Sequence, residues 1–230
     1  PGVKVLATSR ESLNLCEEQL YYVNGLPFPG KNDCISLEAY SAVKLFTERS
    51  CQVYPYLRPP EALPNAVRIC QLVDGNPLAL ELAAAWVKTL SWAEIAAEIE
   101  HGLDILATPF HNVPERHQSM QAVFDYSWQL LGAEEQTAFQ RLSVFRGGCT
   151  RDAAITVTGT NRHVFQGLVD KSFIRRDPHS GRYDIHELLR QYGAAQLEQV
   201  PQEAASVVNL HCAYYMDLLA RHRASVTNHE

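Results

Sequence analysis

The chain has 230 residues, of which 46% are hydrophobic and 20% are charged, and its formal net charge is -6 at pH 7. This composition is typical of a globular protein and excludes a disordered or collagen-like chain. No apolar run reaches the length of about 18 residues that a membrane-spanning helix needs, and the acidic balance argues against a protein whose whole surface binds nucleic acid.

The first residues lack the charged and apolar regions of a signal peptide, and the chain opens directly into an apolar run without an initiator methionine. We therefore expect it to be a piece of a longer protein. No two of its six cysteines are spaced Cys-x-x-Cys, as zinc sites and many disulfide frameworks require. We expect free thiols, no metal site and a cytoplasmic location.

Residues 3–7 form a short, β-branched apolar run that is typical of a buried strand in a parallel sheet. Because a lone strand is not stable, we expect its sheet partners upstream or in another molecule. Thr8, Ser9 and Arg10 follow at what would be the carboxyl edge of that sheet. Residues 11–34 have no hydrophobic period and contain several glycines and prolines, which predicts a loop and linker.

Amphipathic helices are predicted next, because apolar residues recur at helical spacing. These stripes cover residues 39–46, 66–73, 78–86 and 120–131. Gly75 suits the left-handed end of one helix, while Asn76 and Pro77 suit the cap and first residue of the next. Ser91 and Glu94 predict a capping box. The segment 109–114 has proline at both ends and reads as a connection.

The second half of the chain predicts three helices followed by a β-hairpin, which is the order of a winged helix. The helices are expected over 133–146, 150–157 and 164–169, and the strands over 172–176 and 182–185. A Pro-His-Ser-Gly turn separates the two strands. Another helix follows the hairpin. Residues 197–230 repeat apolar residues at helical spacing, and we interpret them as a helical tail that begins a repeat region.

Two segments, VKVLATSR at 3–10 and DGNPLALEL at 74–82, carry a resemblance to a known family. With them the chain resembles the signal-transduction ATPases called STAND or NB-ARC-like proteins, bacterial regulators above all. The resemblance implies a mainly α fold: a helical bundle followed by a winged-helix domain, with a short N-terminal remnant strand of a P-loop α/β domain. The implied limits are 1–33 for the end of the nucleotide-binding domain, 34–118 for the ARC1-like bundle, 119–196 for the ARC2-like winged helix and 197–230 for the tail.

The resemblance implies a nucleotide-binding set of Arg10, Pro77 and His186. Arg10, supported by Thr8 and Ser9, would meet the γ-phosphate, for which a planar guanidinium is suited. A solvated arginine at the end of a strand is the alternative. The resemblance also implies that Pro77 packs on the adenine. The residues that would support Pro77 are Gly75, Asn76 and Leu78, although capping alone also explains this segment.

Residues 183–190, which read Tyr-Asp-Ile-His-Glu-Leu-Leu-Arg, resemble the family's Met-His-Asp segment. The resemblance implies that His186 reaches the β-phosphate of ADP and latches a closed state. Ile185 stands in place of the methionine, and Glu187 stands in place of the aspartate. Alternatively, His186 caps the helix that follows the hairpin.

Two motifs of a complete ATPase are absent from the sequence. It has no G-x-x-x-x-G-K-[ST] loop to hold phosphates and no apolar strand that ends in paired acids for magnesium. We therefore expect neither catalysis nor tight cofactor binding by this chain alone. The resemblance implies that the longer protein binds ATP or ADP with magnesium and hydrolyses ATP. It also implies an upstream P-loop domain, self-assembly and a downstream helical repeat or effector domain.

The first hypothesis for function is a regulatory segment of a nucleotide-dependent switch, from a bacterial transcriptional regulator or signalling ATPase. A second is DNA binding by the winged helix, since residues 141–190 carry nine basic and five acidic side chains, a net +4. In that case the helix over 161–171 would enter the major groove, with Arg162, His163, Gln166 and Asp170 as its base readers. The cations that would contact phosphates are Lys171, Arg175, Arg176 and Arg182.

In the resembled family the winged helix packs on the nucleotide-binding domain, which argues against DNA contact by this segment. A third hypothesis is a protein-interaction scaffold that never meets nucleotide, because the fold does not determine function. The nucleotide hypothesis requires that Arg10, Pro77 and His186 converge on one site.

Overall fold

The structure is a computed structural model, and it describes residues 3–9, 13, 15–21, 23–30, 37–56, 63–108, 114 and 117–227. The chain divides into two compact units. We call Val23–Leu130 with Glu187–Tyr192 the helical unit. We call Pro1–Tyr22, Leu131–His186 and Gly193–Glu230 the winged unit. The predicted domain limits stay a prediction.

The helical unit consists of helices packed in pairs around an apolar core. It contains a 3-10 helix Leu37–Ala39, α1 Ser41–Val53, α2 Leu63–Leu72, α3 Pro77–Ala84, α4 Trp92–His101, α5 Met120–Trp128 and the first half of α9 Glu187–Glu198. Helix α1 packs against α3, and α2 packs against α4. The Phe46 and Trp92 rings meet edge to face with centroids 5.1 Å apart. Each such buried side chain contributes about 1.5–3 kcal/mol.

The predicted helix starts are confirmed by their caps. The Asn76 side chain accepts a hydrogen bond from the backbone N–H three residues on, at 3.1 Å, and Pro77 opens the helix. Ser91 and Glu94 form the predicted reciprocal capping box. The Thr150 hydroxyl accepts a hydrogen bond from the Ala153 N–H at 3.2 Å and caps the next predicted helix. Each cap satisfies a donor that the helix itself leaves open, which contributes about 1 kcal/mol.

The winged unit contains three helices, a hairpin and a long C-terminal helix. These are α6 Ala133–Leu142, α7 Arg151–Thr158, α8 Arg162–Asp170, β1 Arg175–Arg176, β2 Tyr183–Asp184, the second half of α9 and α10 Pro201–Thr227. Helix α6 packs against α7 and α8, and α10 packs against α7. The strands are antiparallel, with Arg175 opposite Asp184 and Arg176 opposite Tyr183.

An isolated bridge from Cys149 to Tyr183 adds a third extended segment to the hairpin. The order of helices and strands is that of a winged helix. The predicted fold, a mainly α chain with a helical bundle followed by a winged helix, is therefore confirmed.

Three predicted elements differ from the structure. Residues 3–7 lie outside the strands, and Val3 and Leu6 are 90% and 97% exposed, because no described segment pairs with them. The helix predicted over 133–146 ends at Leu142, and the hairpin strands are two residues long. The predicted connection over 109–114 lies outside the described residues except for Pro114.

Candidate functional site

The Gly-Asn-Pro segment forms a tight helix-to-helix turn in the helical unit. Gly75 has φ +65°, and its N–H donates to the Cys70 carbonyl at 2.9 Å. This left-handed conformation favours glycine and ends α2. Pro77 then begins α3 with its ring exposed, while Leu78 is half-buried. The turn therefore holds an exposed apolar ring at a fixed position.

The linker packs directly on this turn, backbone against backbone. The N–H of Leu26 donates to the Gly75 carbonyl at 2.8 Å. A Cβ atom on Gly75 would lie 2.1 Å from the carbonyl oxygen of Leu26. A Cβ atom on Gly25 would lie 2.0 Å from the carbonyl oxygen of Asp74. Both positions therefore exclude any side chain.

Two further hydrogen bonds fasten the linker to the helical unit. The N–H of Ala42 donates to the Pro27 carbonyl at 3.1 Å, and Nε2 of Gln71 donates to the carbonyl of buried Pro29 at 2.8 Å. These contacts occupy both carbonyls with donors from α1 and α2. Sequence reasoning predicted a linker here but missed its docking. Gly25, Pro27 and Pro29 are the sequence features that could have indicated a linker with a fixed conformation.

His186 lies between β2 and α9 and is half-buried. Glu187, which stands in place of the family's aspartate, forms a two-pronged ion pair with Arg190 at 2.7 and 2.9 Å. The hydrogen bonds that Arg190 donates to the Glu187 carboxylate raise the pKa of Arg190 above its ordinary value. The carboxylate of Glu187 is thus engaged within its own helix.

The predicted site residues are distributed as follows. Gly75, Asn76, Pro77 and Leu78 lie together in the helical unit, and His186 belongs to the winged unit. Thr8 and Ser9 are exposed, and Arg10 lies outside the described residues. The convergence of Arg10, Pro77 and His186 stays a prediction.

The first half of α9 is anchored in the helical unit by Tyr192. This side chain is only 1% exposed, and its hydroxyl donates to Oδ1 of Asp125 at 2.8 Å. Its ring meets Phe124 and Trp128 edge to face, with centroids 5.7 and 5.9 Å apart. Burial, and secondarily Asp125, raises the pKa of Tyr192. The sequence showed only an apolar position on a helix here.

Several cations that were candidates for DNA contact have partners inside the winged unit. The Lys171 side chain is 23% exposed and pairs with Glu135 at 2.6 Å, so it joins the end of α8 to α6, and its phosphate contact stays a prediction. Arg175 lies 3.7 Å from Asp184, and Arg182 donates to the Gly148 carbonyl at 2.8 Å. The base readers Arg162, His163, Gln166 and Asp170 are exposed.

A shallow groove of about 440 Å³ lies on the winged unit. Its walls include Ala133, Thr137, Arg141, Thr158, Gly159 and Asn161. Arg141 donates to the Thr158 carbonyl at 2.6 Å and pairs with Glu203. The cation of the groove is therefore already neutralised.

No helix among the described residues is long and apolar enough to cross a membrane. In the same part of the chain, no three His, Cys, Asp or Glu side chains are grouped so that they could hold a metal ion.

No protein-family model matches the chain. It is 33% identical over 230 residues to a Mycobacterium tuberculosis protein named "Putative HTH-type transcriptional regulator", and equally to a Mycobacterium bovis protein of that description. These matches cover 96% of this chain and 25% of each relative. It is also 32% identical over 211 residues to an uncharacterized Mycobacterium tuberculosis protein, which covers 86% of this chain and 51% of that protein. The chain thus spans a quarter to a half of the length of these relatives.

Proposed function

We propose that this chain is the regulatory segment of a larger transcriptional regulator of the STAND type, in which it senses ATP or ADP. The observation that carries the proposal is the Gly-Asn-Pro turn, where Pro77 is exposed while the backbone on either side of it is held in place. Capping explains why Asn76 and Pro77 start a helix. It does not explain why the linker closes over Gly75 and leaves the ring of Pro77 uncovered.

An exposed proline ring on a rigid turn suits a flat base. The conformation of the turn is fixed by the proline ring, by the left-handed Gly75 and by the hydrogen bond from Leu26. Binding of a base to the turn would therefore immobilise few additional groups. Preorganisation of this kind reduces the entropic cost of association. Adenine packing on Pro77 follows as its proposed role.

His186 and Arg10 complete the proposed sensor. A neutral histidine N–H can donate to a phosphate, and an arginine can chelate one. ADP held by His186 would favour a closed arrangement, and ATP met by Arg10 would favour an open one. The ligands act only through their differential affinity for the two arrangements, for which a coupling of about 1–3 kcal/mol is the usual scale.

Magnesium does not fit the described residues, since they provide no cluster of metal-binding side chains. We therefore assign the metal and the phosphate loop to an upstream domain and derive no step through them.

The relatives support a regulatory role in transcription, because the name of two of them describes a transcriptional regulator. That name describes proteins about four times as long as the matched segment. A segment of this size can carry regulation while another part of the protein contacts DNA.

DNA contact by the winged unit is the second candidate. The exposed side chains of Arg162, His163 and Gln166 at the start of α8 favour it, and so does the helix-turn-helix name of the relatives. Substitution of Arg162 and His163 by alanine should then weaken salt-dependent DNA binding of the complete protein. If the variant and the natural protein bind DNA with the same affinity at low salt, DNA contact by the winged unit is wrong.

The test of the first proposal is the binding of a fluorescent ADP to the complete protein. Pro77→Ala and His186→Ala should each raise Kd by about 5-fold or more, the lower end of a typical coupling. Pro64→Ala and His179→Ala are matched controls, because Pro64 is an exposed proline in the first turn of α2 and His179 is an exposed histidine on the hairpin turn. Equal ADP affinity in all five proteins would contradict nucleotide sensing.

A further inference from the structure

Helix α9 begins at the residue directly after His186. Its first six residues, Glu187–Tyr192, belong to the helical unit, whereas Gly193 onward belongs to the winged unit. His186 is therefore joined by a single peptide bond to a helical segment of the helical unit.

Tyr192 joins these first turns to α5 by a hydrogen bond. Its hydroxyl donates to Asp125 at 2.8 Å, and Nε2 of Gln121 donates to the same oxygen at 3.2 Å. A hydrogen bond to a carboxylate that is sheltered from water is stronger than one between neutral groups. The aromatic rings of Phe124 and Trp128 pack around the phenol and exclude water from it.

Other residues of the same segment add to this anchor. Leu188 is fully buried, and Nε2 of Gln191 donates to the Ile99 carbonyl at 3.3 Å. Tyr192 lies six positions after His186, a rise of about 9 Å at 1.5 Å per residue. Because a helix this short does not bend appreciably, its anchoring at Tyr192 fixes the direction in which its first turn begins.

We propose that the Tyr192–Asp125 contact positions His186 for the nucleotide. The inference rests on the proposed function, and it makes Tyr192 a positioning residue, not a ligand of ADP. When the phenol leaves Asp125, the first turns of α9 lose their buried polar anchor, and His186 loses the support that aims it at the β-phosphate.

The test is a double-mutant cycle on ADP binding by the complete protein, with His186→Ala, Tyr192→Phe and the double variant. Tyr192→Phe keeps the ring and removes only the hydroxyl, so the core packing is retained. We expect it to weaken ADP binding by about three- to tenfold, the range of one hydrogen bond. It should have no further effect in the His186→Ala background, because both changes act through the same contact. The control is Tyr56→Phe, since Tyr56 is 83% exposed.

Each other outcome overturns a defined part of the argument. If His186→Ala weakens ADP binding and Tyr192→Phe does not, the anchor is wrong and the sensor stands. If Tyr192→Phe weakens binding equally in both backgrounds, its effect is general destabilisation and the positioning role is wrong. If His186→Ala leaves ADP binding unchanged, the latch fails and the inference fails with it. Hydrogen exchange over 187–192 checks that Tyr192→Phe loosens this helix.

Discussion

Gly25 lies so close to the backbone of Asp74 that a Cβ atom on the glycine would come within 2.0 Å of the aspartate carbonyl oxygen. Contacts of that length do not occur in folded proteins, and the neighbour is backbone, which cannot rotate away. The linker and the Gly-Asn-Pro turn are therefore one structural element. Gly25→Ala, which adds one methyl group, tests this packing.

Gly25→Ala should detach the linker from the turn or destabilise the helical unit by about 1–3 kcal/mol, the usual range for a steric conflict. Urea unfolding measures the loss, and limited proteolysis within 23–30 reports the detachment. Gly102→Ala is the matched control, because a Cβ there meets no atom within 4 Å. Similar stability and protease resistance in the two variants would show that the linker is not packed as described.

The stability of the protein should fall at alkaline pH in a way that depends on Tyr192. Burial and Asp125 raise the pKa of this phenol above its ordinary value of 10. Below pH 10 the phenol is protonated in both states and its contribution is complete. Above pH 10 the unfolded chain releases the proton while the folded chain retains it, so the free energy of unfolding falls by about 1.4 kcal/mol per pH unit.

The measurement is urea unfolding between pH 9 and 11 for the natural chain and Tyr192→Phe. The difference between the two proteins isolates Tyr192 from the other titrating groups. The natural chain should lose its advantage as the pH rises. Parallel pH profiles would contradict a raised pKa for Tyr192.

The ion pair between Lys171 and Glu135 should matter for stability. Their side chains are 23% and 16% exposed, so removal of one charge leaves the other poorly solvated. Lys171→Met should cost about 1–3 kcal/mol in chemical unfolding. The control is Arg151→Met, because Arg151 and Asp152 form a highly exposed pair that contributes about 0–1 kcal/mol. If the two substitutions cost the same, the packing of α8 on α6 does not depend on this pair.

The cysteines should differ sharply in reactivity. Burial raises the pKa of the Cys70 thiol to about 12 and that of Cys149 to about 11, whereas Cys16 and Cys212 are exposed. The thiolate is the reactive form. Among the cysteines that the structure describes, iodoacetamide labelling at pH 8, mapped by mass spectrometry, should therefore modify Cys16 and Cys212 first. Early modification of Cys70 would mean that the helical unit opens readily, and labelling in denaturant supplies the reference rate for each thiol.

The helix starts were predictable because a cap is a contact between residues two or three positions apart. Asn76 with Pro77, and Ser91 with Glu94, satisfy backbone donors that any helix exposes, whatever else surrounds it. The hairpin was predictable for the same reason, because the residues that form its turn are close in sequence to the two strands that the turn joins. Its third segment at Cys149 was not, because the bridge joins Cys149 to Tyr183, far along the chain.

The strand predicted over residues 3–7 stays a prediction, because its sheet partners are expected upstream or in another molecule. A strand needs a neighbour for its backbone groups, and no described segment of this chain supplies one. Lys171 shows a limit of local patterns, because its acidic partner lies 36 residues away and could not be identified from neighbouring residues.

The sequence by itself determined where α3, α4 and α7 begin, which segments are amphipathic, and which motifs of a complete ATPase are missing. All of these depend on residues within a few positions of each other, where chain connectivity fixes the distances. Only the tertiary structure decided that Gly25 closes over Asp74, that Tyr192 anchors α9 through Asp125, and that Lys171 is paired. Those contacts join residues 36 to 67 positions apart, so they exist only after the helices have packed and excluded water.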